Sequence, residues 1–158
     1  MLTKQKLLEF LETKRYAVVS SVSAAAGADV RPEAALVGFA VTPELELIFD
    51  TVRSARKWAN LRANPNVAVV IGWDGEVTVQ LEGWAEEPEG EERERRKEQY
   101  FATWPEGRER ASWPGITWIV IRVRWARYCD YGKEDGVEGA IEGGVDPAIE
   151  SAIEEMEF

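Results

Sequence analysis

Six β-rich runs separated by short turns narrow what this chain can fold into. They are Tyr16 to Ser23, Val30 to Val41, Leu45 to Asp50, Val67 to Trp73, Val77 to Ala85 and the long run Ile116 to Tyr128. Asp74-Gly75, between the fourth and fifth, is the clearest hairpin signal. No strand-helix-strand alternation of the parallel kind is visible, and neither GxGxxG nor a P-loop is present, which disfavours a doubly wound nucleotide fold. Antiparallel strands in hairpin-like succession, with few edge-protecting charges, remove their exposed edges by closing on themselves. The expectation is a mainly β (α+β) fold: a six-stranded antiparallel barrel with short flanking helices.

Helical segments lie between the runs. Residues 3–14 place Leu7, Leu8, Phe10 and Leu11 on one face and Lys4, Lys6, Glu9 and Glu12 on the other. Glu89 to Tyr100 sets Glu91, Glu92, Glu94 and Glu98 against Arg93, Arg95, Arg96 and Lys97, and reads as a solvated helix. The helix after Thr51 is chemically the most informative. Ser54 is expected as its N-cap and Asn64-Pro65 as its stop. Where a capping box would carry Glu or Gln, the chain has Lys57, with Arg56 before it and Arg53 upstream. A helix N-terminus is already positive, so an exposed cation there costs about 0.3–1 kcal/mol. No acid offsets these cations between Thr51 and Pro65. Amide hydrogens, a hydroxyl, a guanidinium and an ammonium at one point make a phosphate site.

Composition removes other chemistries. The chain contains no His, which excludes Ser-His-Asp and Cys-His nucleophilic sites, imidazole bases and His-ligated haem or zinc. Catalysis by such a chain calls for a bound organic cofactor. A single Cys allows no internal disulfide and fits a reducing, cytoplasmic setting. No apolar stretch long enough for a membrane and no secretory leader are expected. Residues 130–158 hold 10 acids and one base, a net of −9, out of −10 for the whole chain. The acidity therefore belongs to a tail, and nucleic-acid binding is not expected.

The run from Asp50-Thr51 through Arg56-Lys57 to Asn64-Pro65, followed by the strand Val67 to Ile71, resembles the flavin-binding split-barrel superfamily, whose best-known members are pyridoxamine 5′-phosphate oxidases. Gly83, after Val77-Thr78-Val79-Gln80-Leu81, is similar to the glycine that ends the corresponding strand in that family. The resemblance implies a split β-barrel over residues 1–130 and a homodimer with FMN between subunits. It implies that Arg56 and Lys57 grip the 5′-phosphate, with Asp50, Thr51, Ser54 and Thr78 as further cofactor-binding positions. Three departures stand out. Ala35 and Ala40 occupy positions where oxidases of the family usually carry Arg and Lys, and Asp50 replaces an aromatic residue. Those changes either weaken FMN binding or make room for a deazaflavin coenzyme. Pyridoxal-type recognition by Arg and His near the C-terminus is also missing, so a true pyridoxamine phosphate oxidase is not expected.

Trp58, Trp73, Trp84, Trp118 and Trp125 read as core or interface aromatics. Arg122, Arg124 and Arg127 alternate with apolar residues and either face solvent or pair with the acidic tail. Cys129 reads as an inert strand residue. In the tail, 131–158, glycines predict a mobile linker over 132–145. Asp146-Pro147 then predicts a short C-terminal helix with Ile149, Ile153 and Met156 on one face, docking near Arg122 and Arg124. The functional expectation is an FMN-binding oxidoreductase with an unidentified small-molecule substrate. The alternatives are a deazaflavin-dependent reductase and a non-catalytic flavin-binding or stress protein.

Overall fold

The structure is a computed structural model and describes residues 2–24, 27–132 and 153–158. In chain order its elements are α1 (Lys4–Glu12), β1 (Tyr16–Val22), a 3-10 turn (Gly27–Asp29), β2 (Pro32–Val41), β3 (Glu46–Val52), α2 (Arg56–Ala63), β4 (Asn66–Ile71), β5 (Val77–Glu86), α3 (Gly90–Thr103), α4 (Gly107–Arg110), β6 (Ile116–Asp130) and β7 (Ile153–Glu157). All strand pairings are antiparallel, in the order β3-β2-β1-β4-β5-β6-β7. A further pairing of β3 with β6 closes the first six strands into the expected barrel.

The long strand β6 explains how the barrel is split. Its Ile116 to Arg122 half pairs with β3, and its Trp125 to Cys129 half pairs with β7. Where β3 leaves, β7 takes over the freed edge. On the other side β5 follows β6 throughout, with a bulge between Glu82 and Gly83. A Cβ at Gly83 would lie 2.1 Å from the Arg122 carbonyl oxygen, so the bulge requires glycine. Gly83 thus sits inside β5 rather than at its end. In the β4–β5 hairpin the left-handed residue is Gly72 (φ 92°), and Asp74 in the loop pairs with Lys14 at 2.9 Å.

Two cores flank the sheet. The barrel interior buries Phe39, Leu47, Phe49, Ile71, Leu81 and Ile121, joined by Leu7 and Leu11 of α1. Outside, Ala40, Ile48, Trp118 and Val120 pack beneath Tyr100, Phe101 and Trp104 at the end of α3. Burying each large apolar side chain contributes roughly 1.5–3 kcal/mol, and Trp104 Nε1 also donates to the Phe39 carbonyl at 2.9 Å. The α3 side of the barrel is therefore covered.

The outer face of β2, β1 and β4 is not. Leu36, Val18 and Val70 are direct cross-strand neighbours there, and Leu36 is 61% exposed.

Two expectations are corrected. The helix α3 is not solvated all round: Arg96 is 3% exposed, with Glu46 at 2.5 Å and Glu92 at 2.7 Å. Helical spacing puts Arg96 on the inward face with Tyr100, and that face meets the barrel. At the C-terminus, residues 153–157 form a strand, not the end of a helix. So short a helix is marginal alone, whereas the β6 edge beyond Arg122 offers backbone partners that β3 has left free. Met156 packs against the core, Glu154 pairs with Lys6, and Glu155 accepts from Arg127 at 2.7 Å on the opposite face. The strand docks beside Arg127, and the Phe158 N–H reaches the Arg124 carbonyl at 2.9 Å. Residues 133–152, which include most of the expected linker, Asp146-Pro147 and Ile149, lie outside the described residues.

Candidate functional site

The cationic segment follows β3, and the register of β3 decides its geometry. Val52 still pairs with Ile116, and the Arg53 N–H donates to the Gly115 carbonyl at 2.9 Å. The strand therefore runs past Asp50, and the turn comes late. The Ala55 N–H closes it on the Val52 carbonyl at 2.9 Å, leaving Ala55 as the helix cap with no side-chain hydrogen bond. Ser54, the expected N-cap, is exposed on the turn.

The three cations have separate fates. Arg53 donates to Glu87 at 2.9 and 2.6 Å, beside bonds from Trp58 Nε1 at 2.9 Å and Thr117 at 2.7 Å. Burial opposes ionisation of Glu87, yet the bonds from Thr117, Trp58 and Arg53 hold its carboxyl below the usual range. Arg56 is 83% exposed and lies 3.2 Å from Glu33 on β2. Lys57 has no ion pair among the described residues. The compensating acids come from β2 (Glu33) and from the residue just past β5 (Glu87), where the local sequence does not reveal them.

Two cavities meet at Lys57. The first, of about 210 Å³, lies between β1, β2 and α2, and is lined by Ser21, Glu33, Ala34, Ala35, Arg56 and Lys57 among others. The second, of about 300 Å³, includes Gly38, Asp50, Thr51, Lys57, Arg110 and Trp113 in its lining. Arg110 Nε donates to Asp50 at 2.8 Å, and Arg110 Nη2 reaches the Tyr100 hydroxyl at 3.1 Å. Burial first, and then the Asp50 carboxylate, push the Tyr100 hydroxyl well above its usual range. Burial works against the charge on Arg110, but Asp50 more than offsets it. Arg110, in the wall of the second cavity, thus stays charged and donates to a neutral phenol.

Of the expected cofactor-binding residues, Asp50, Thr51, Arg56 and Lys57 line these two cavities. Ser54 and Thr78 line neither: Thr78 lies on β5 opposite Cys129, which is itself buried. Ala35 lines the first cavity, whereas Ala40 is buried beneath α3. Sequence reasoning missed Arg110 and Trp113, which a Trp-, Pro- and Gly-rich loop brings in without any periodic signal. It also missed Glu33, although the period of two along β2 sets Glu33 and Ala35 on one side. Among the described residues no cluster of His, Cys, Asp and Glu is arranged to hold a metal ion, and no helix is long and apolar enough to cross a membrane.

A closed six-stranded split barrel, with a strand-to-helix cationic corner beside two cavities, defines the class of the small split β-barrels. The chain belongs to the pyridoxamine 5′-phosphate oxidase family, whose sequence profile matches residues 3–130. A pyridoxine/pyridoxamine 5′-phosphate oxidase of Burkholderia vietnamiensis is 34% identical over 102 residues, covering 64% of this chain and 46% of that protein. The chain therefore spans about half the length of the curated relatives it matches. Among solved structures, a haem-binding protein of Mycobacterium smegmatis has a TM-score of 0.70 at 17% identity, covering 84% of this chain and 57% of that one. A pyridoxamine 5′-phosphate oxidase-related, FMN-binding protein of Nostoc punctiforme has a TM-score of 0.57 at 12% identity, covering 83% and 82%. Those two likenesses concern the fold.

Proposed function

We propose that this chain is an FMN-binding oxidoreductase acting as a homodimer, with Lys57 and Arg56 holding the 5′-phosphate. The observation that carries the reading is the Lys57 ammonium, without an ion pair among the described residues, in the wall shared by two adjoining cavities. A donor set of one ammonium, one exposed guanidinium and a small-residue floor fits a phosphate ester. Ala34 and Ala35 leave it room. When bound, a flavin supplies hydride or electron transfer. The chain's own contribution is binding and orientation: Lys57 and Arg56 anchor the anion, while Arg110 and Trp113 form the wall of the second cavity, where a planar ring or a substrate fits.

Homodimerisation is supported by the bare apolar row Leu36, Val18 and Val70, since an exposed contiguous apolar patch marks an interaction surface. A deazaflavin coenzyme is the second reading, favoured by the space that Ala35 leaves where family oxidases usually carry Arg. Imidazole-ligated haem has no support, because the chain has no His. The absorbance spectrum of the purified protein, and of the apoprotein titrated with FMN, tests the reading. A flavin spectrum with saturable binding is expected; absence of FMN binding overturns it.

A further inference from the structure

Glu87, just past the end of β5, joins three segments around the cationic corner. Its Oε1 accepts from Arg53 Nε and Nη2, in the turn before α2, and from the Thr117 hydroxyl on β6. Its Oε2 accepts from Trp58 Nε1, within α2, and Arg62, one turn further along the helix, stands 3.9 Å away. Thr117 is the register partner of Thr51, and Trp58 directly follows Lys57 in the chain. The Glu87 side chain is 11% exposed, and it lines neither of the cavities that meet at Lys57. It lines a third, of about 210 Å³, with Trp58, Leu61 and Arg62. Glu87 therefore holds the corner without facing an anion bound there. The bond from Trp58 fixes the rotation of α2 about its axis, and with it the direction in which Lys57 leaves the helix.

We propose that Glu87 is a positioning residue for the phosphate-binding pair: by gathering Arg53, Trp58 and Thr117 on one carboxylate, it sets α2 so that Lys57 is presented to both cavities. The proposal rests on the reading of Arg56 and Lys57 as that pair. Positioning and charge predict opposite signs. A negative charge near the corner opposes anion binding, so neutralising it, which also releases Arg53, would tighten the complex if charge alone mattered. If Glu87 positions the helix, the same change weakens the complex. Glutamine separates the two because its amide offers a single acceptor oxygen. Either Trp58 Nε1 or the Arg53 guanidinium then meets an NH2 group, donor against donor.

Flavin fluorescence quenching tests this on the full chain with FMN and with riboflavin, which carries no phosphate. The proteins are wild type, Glu87→Gln, and Trp58→Phe, which leaves every charge in place and removes only the indole and its N–H donor; circular dichroism checks that each is folded. FMN affinity is expected to fall about tenfold in Glu87→Gln, the equivalent of one charge-assisted hydrogen bond to the phosphate, and by less in Trp58→Phe. Riboflavin affinity is expected to stay unchanged in both. A loss for FMN alone in either folded variant supports the assignment, and should Glu87→Gln not fold, Trp58→Phe decides. FMN binding that is unchanged or tighter in the folded variants, or equal losses for FMN and riboflavin, overturns the role of Glu87. The phosphate site then still stands if wild type binds FMN more tightly than riboflavin. A wild type that binds the two alike overturns the phosphate reading and the role built on it.

Discussion

The guanidinium of Arg110, at the end of α4, lies 2.8 Å from the carboxylate of Asp50 on β3, although sixty positions separate them in the chain. Asp50 stands where the family usually has an aromatic residue, and Arg110 neutralises it. Both groups are mostly buried, with side chains 26% and 16% exposed. Arg110→Ala leaves a carboxylate against the second core and is expected to cost about 1–3 kcal/mol. Double replacement, Asp50→Phe with Arg110→Leu, should recover part of that loss. Urea denaturation of the single and double variants measures both, and additive losses would show that the two residues are not coupled.

Lys57 should matter more than Arg56 for anion binding. Arg56 is 83% exposed and already paired with Glu33, whereas Lys57 has no ion pair among the described residues. Lys57→Ala is expected to weaken FMN binding by about 1.5–3 kcal/mol, and Arg56→Ala by less. Equal losses, read by fluorescence quenching, would assign the two cations equal roles.

A charge placed on the bare face should separate subunits. Leu36→Lys, at a position 61% exposed, leaves the barrel intact yet sets an ammonium in the row with Val18 and Val70. Light scattering at micromolar concentration is expected to give a dimer mass for wild type and a monomer mass for the variant. A monomeric wild type would refute the interface.

Among the described residues Arg96 is the one buried charged side chain, and leaving it without its partners is costly. Glu46→Ala removes its 2.5 Å contact while Arg96 stays 3% exposed. A loss of about 3 kcal/mol or more is expected, with Arg96→Met milder because it removes the charge along with the need for a partner. Thermal unfolding of the two variants gives the order.

The β7 strand should confer acid-sensitive stability. The hydrogen bond from Lys6 lowers the Glu154 carboxyl from 4.5 to about 2, against the opposing effect of burial. A depressed folded-state value means the contribution is present above pH 4.5 and lost as pH falls from there towards 2. Partial exposure of Lys6 limits it to on the order of 1 kcal/mol. Glu154→Gln is expected to lower stability at pH 7 and to converge with wild type near pH 2. Truncation after Gly132 should keep the barrel's circular dichroism and reduce Tm by roughly 2–4 °C per kcal/mol lost.

The β-rich runs, their turns and the amphipathic first helix were legible in the sequence, because strand and helix periodicity are local properties of side-chain order. So was the cationic corner Arg53, Arg56, Lys57, together with the stop at Asn64-Pro65. What became of each cation was decided by tertiary structure. Glu33 on β2 and Glu87 just past the end of β5 reach Arg56 and Arg53 from elements that only tertiary folding brings near α2. Ser54 lost the cap to Ala55 because β3 stays paired with β6 through Val52. The last residues became a strand because β6 outruns β3 and leaves an edge to fill, a vacancy no local pattern records. Side-chain order along the chain determined which segments form and what charges they carry. The pairing register, which depends on contacts far apart in sequence, determined which charges meet and which, like Lys57, have no ion pair among the described residues.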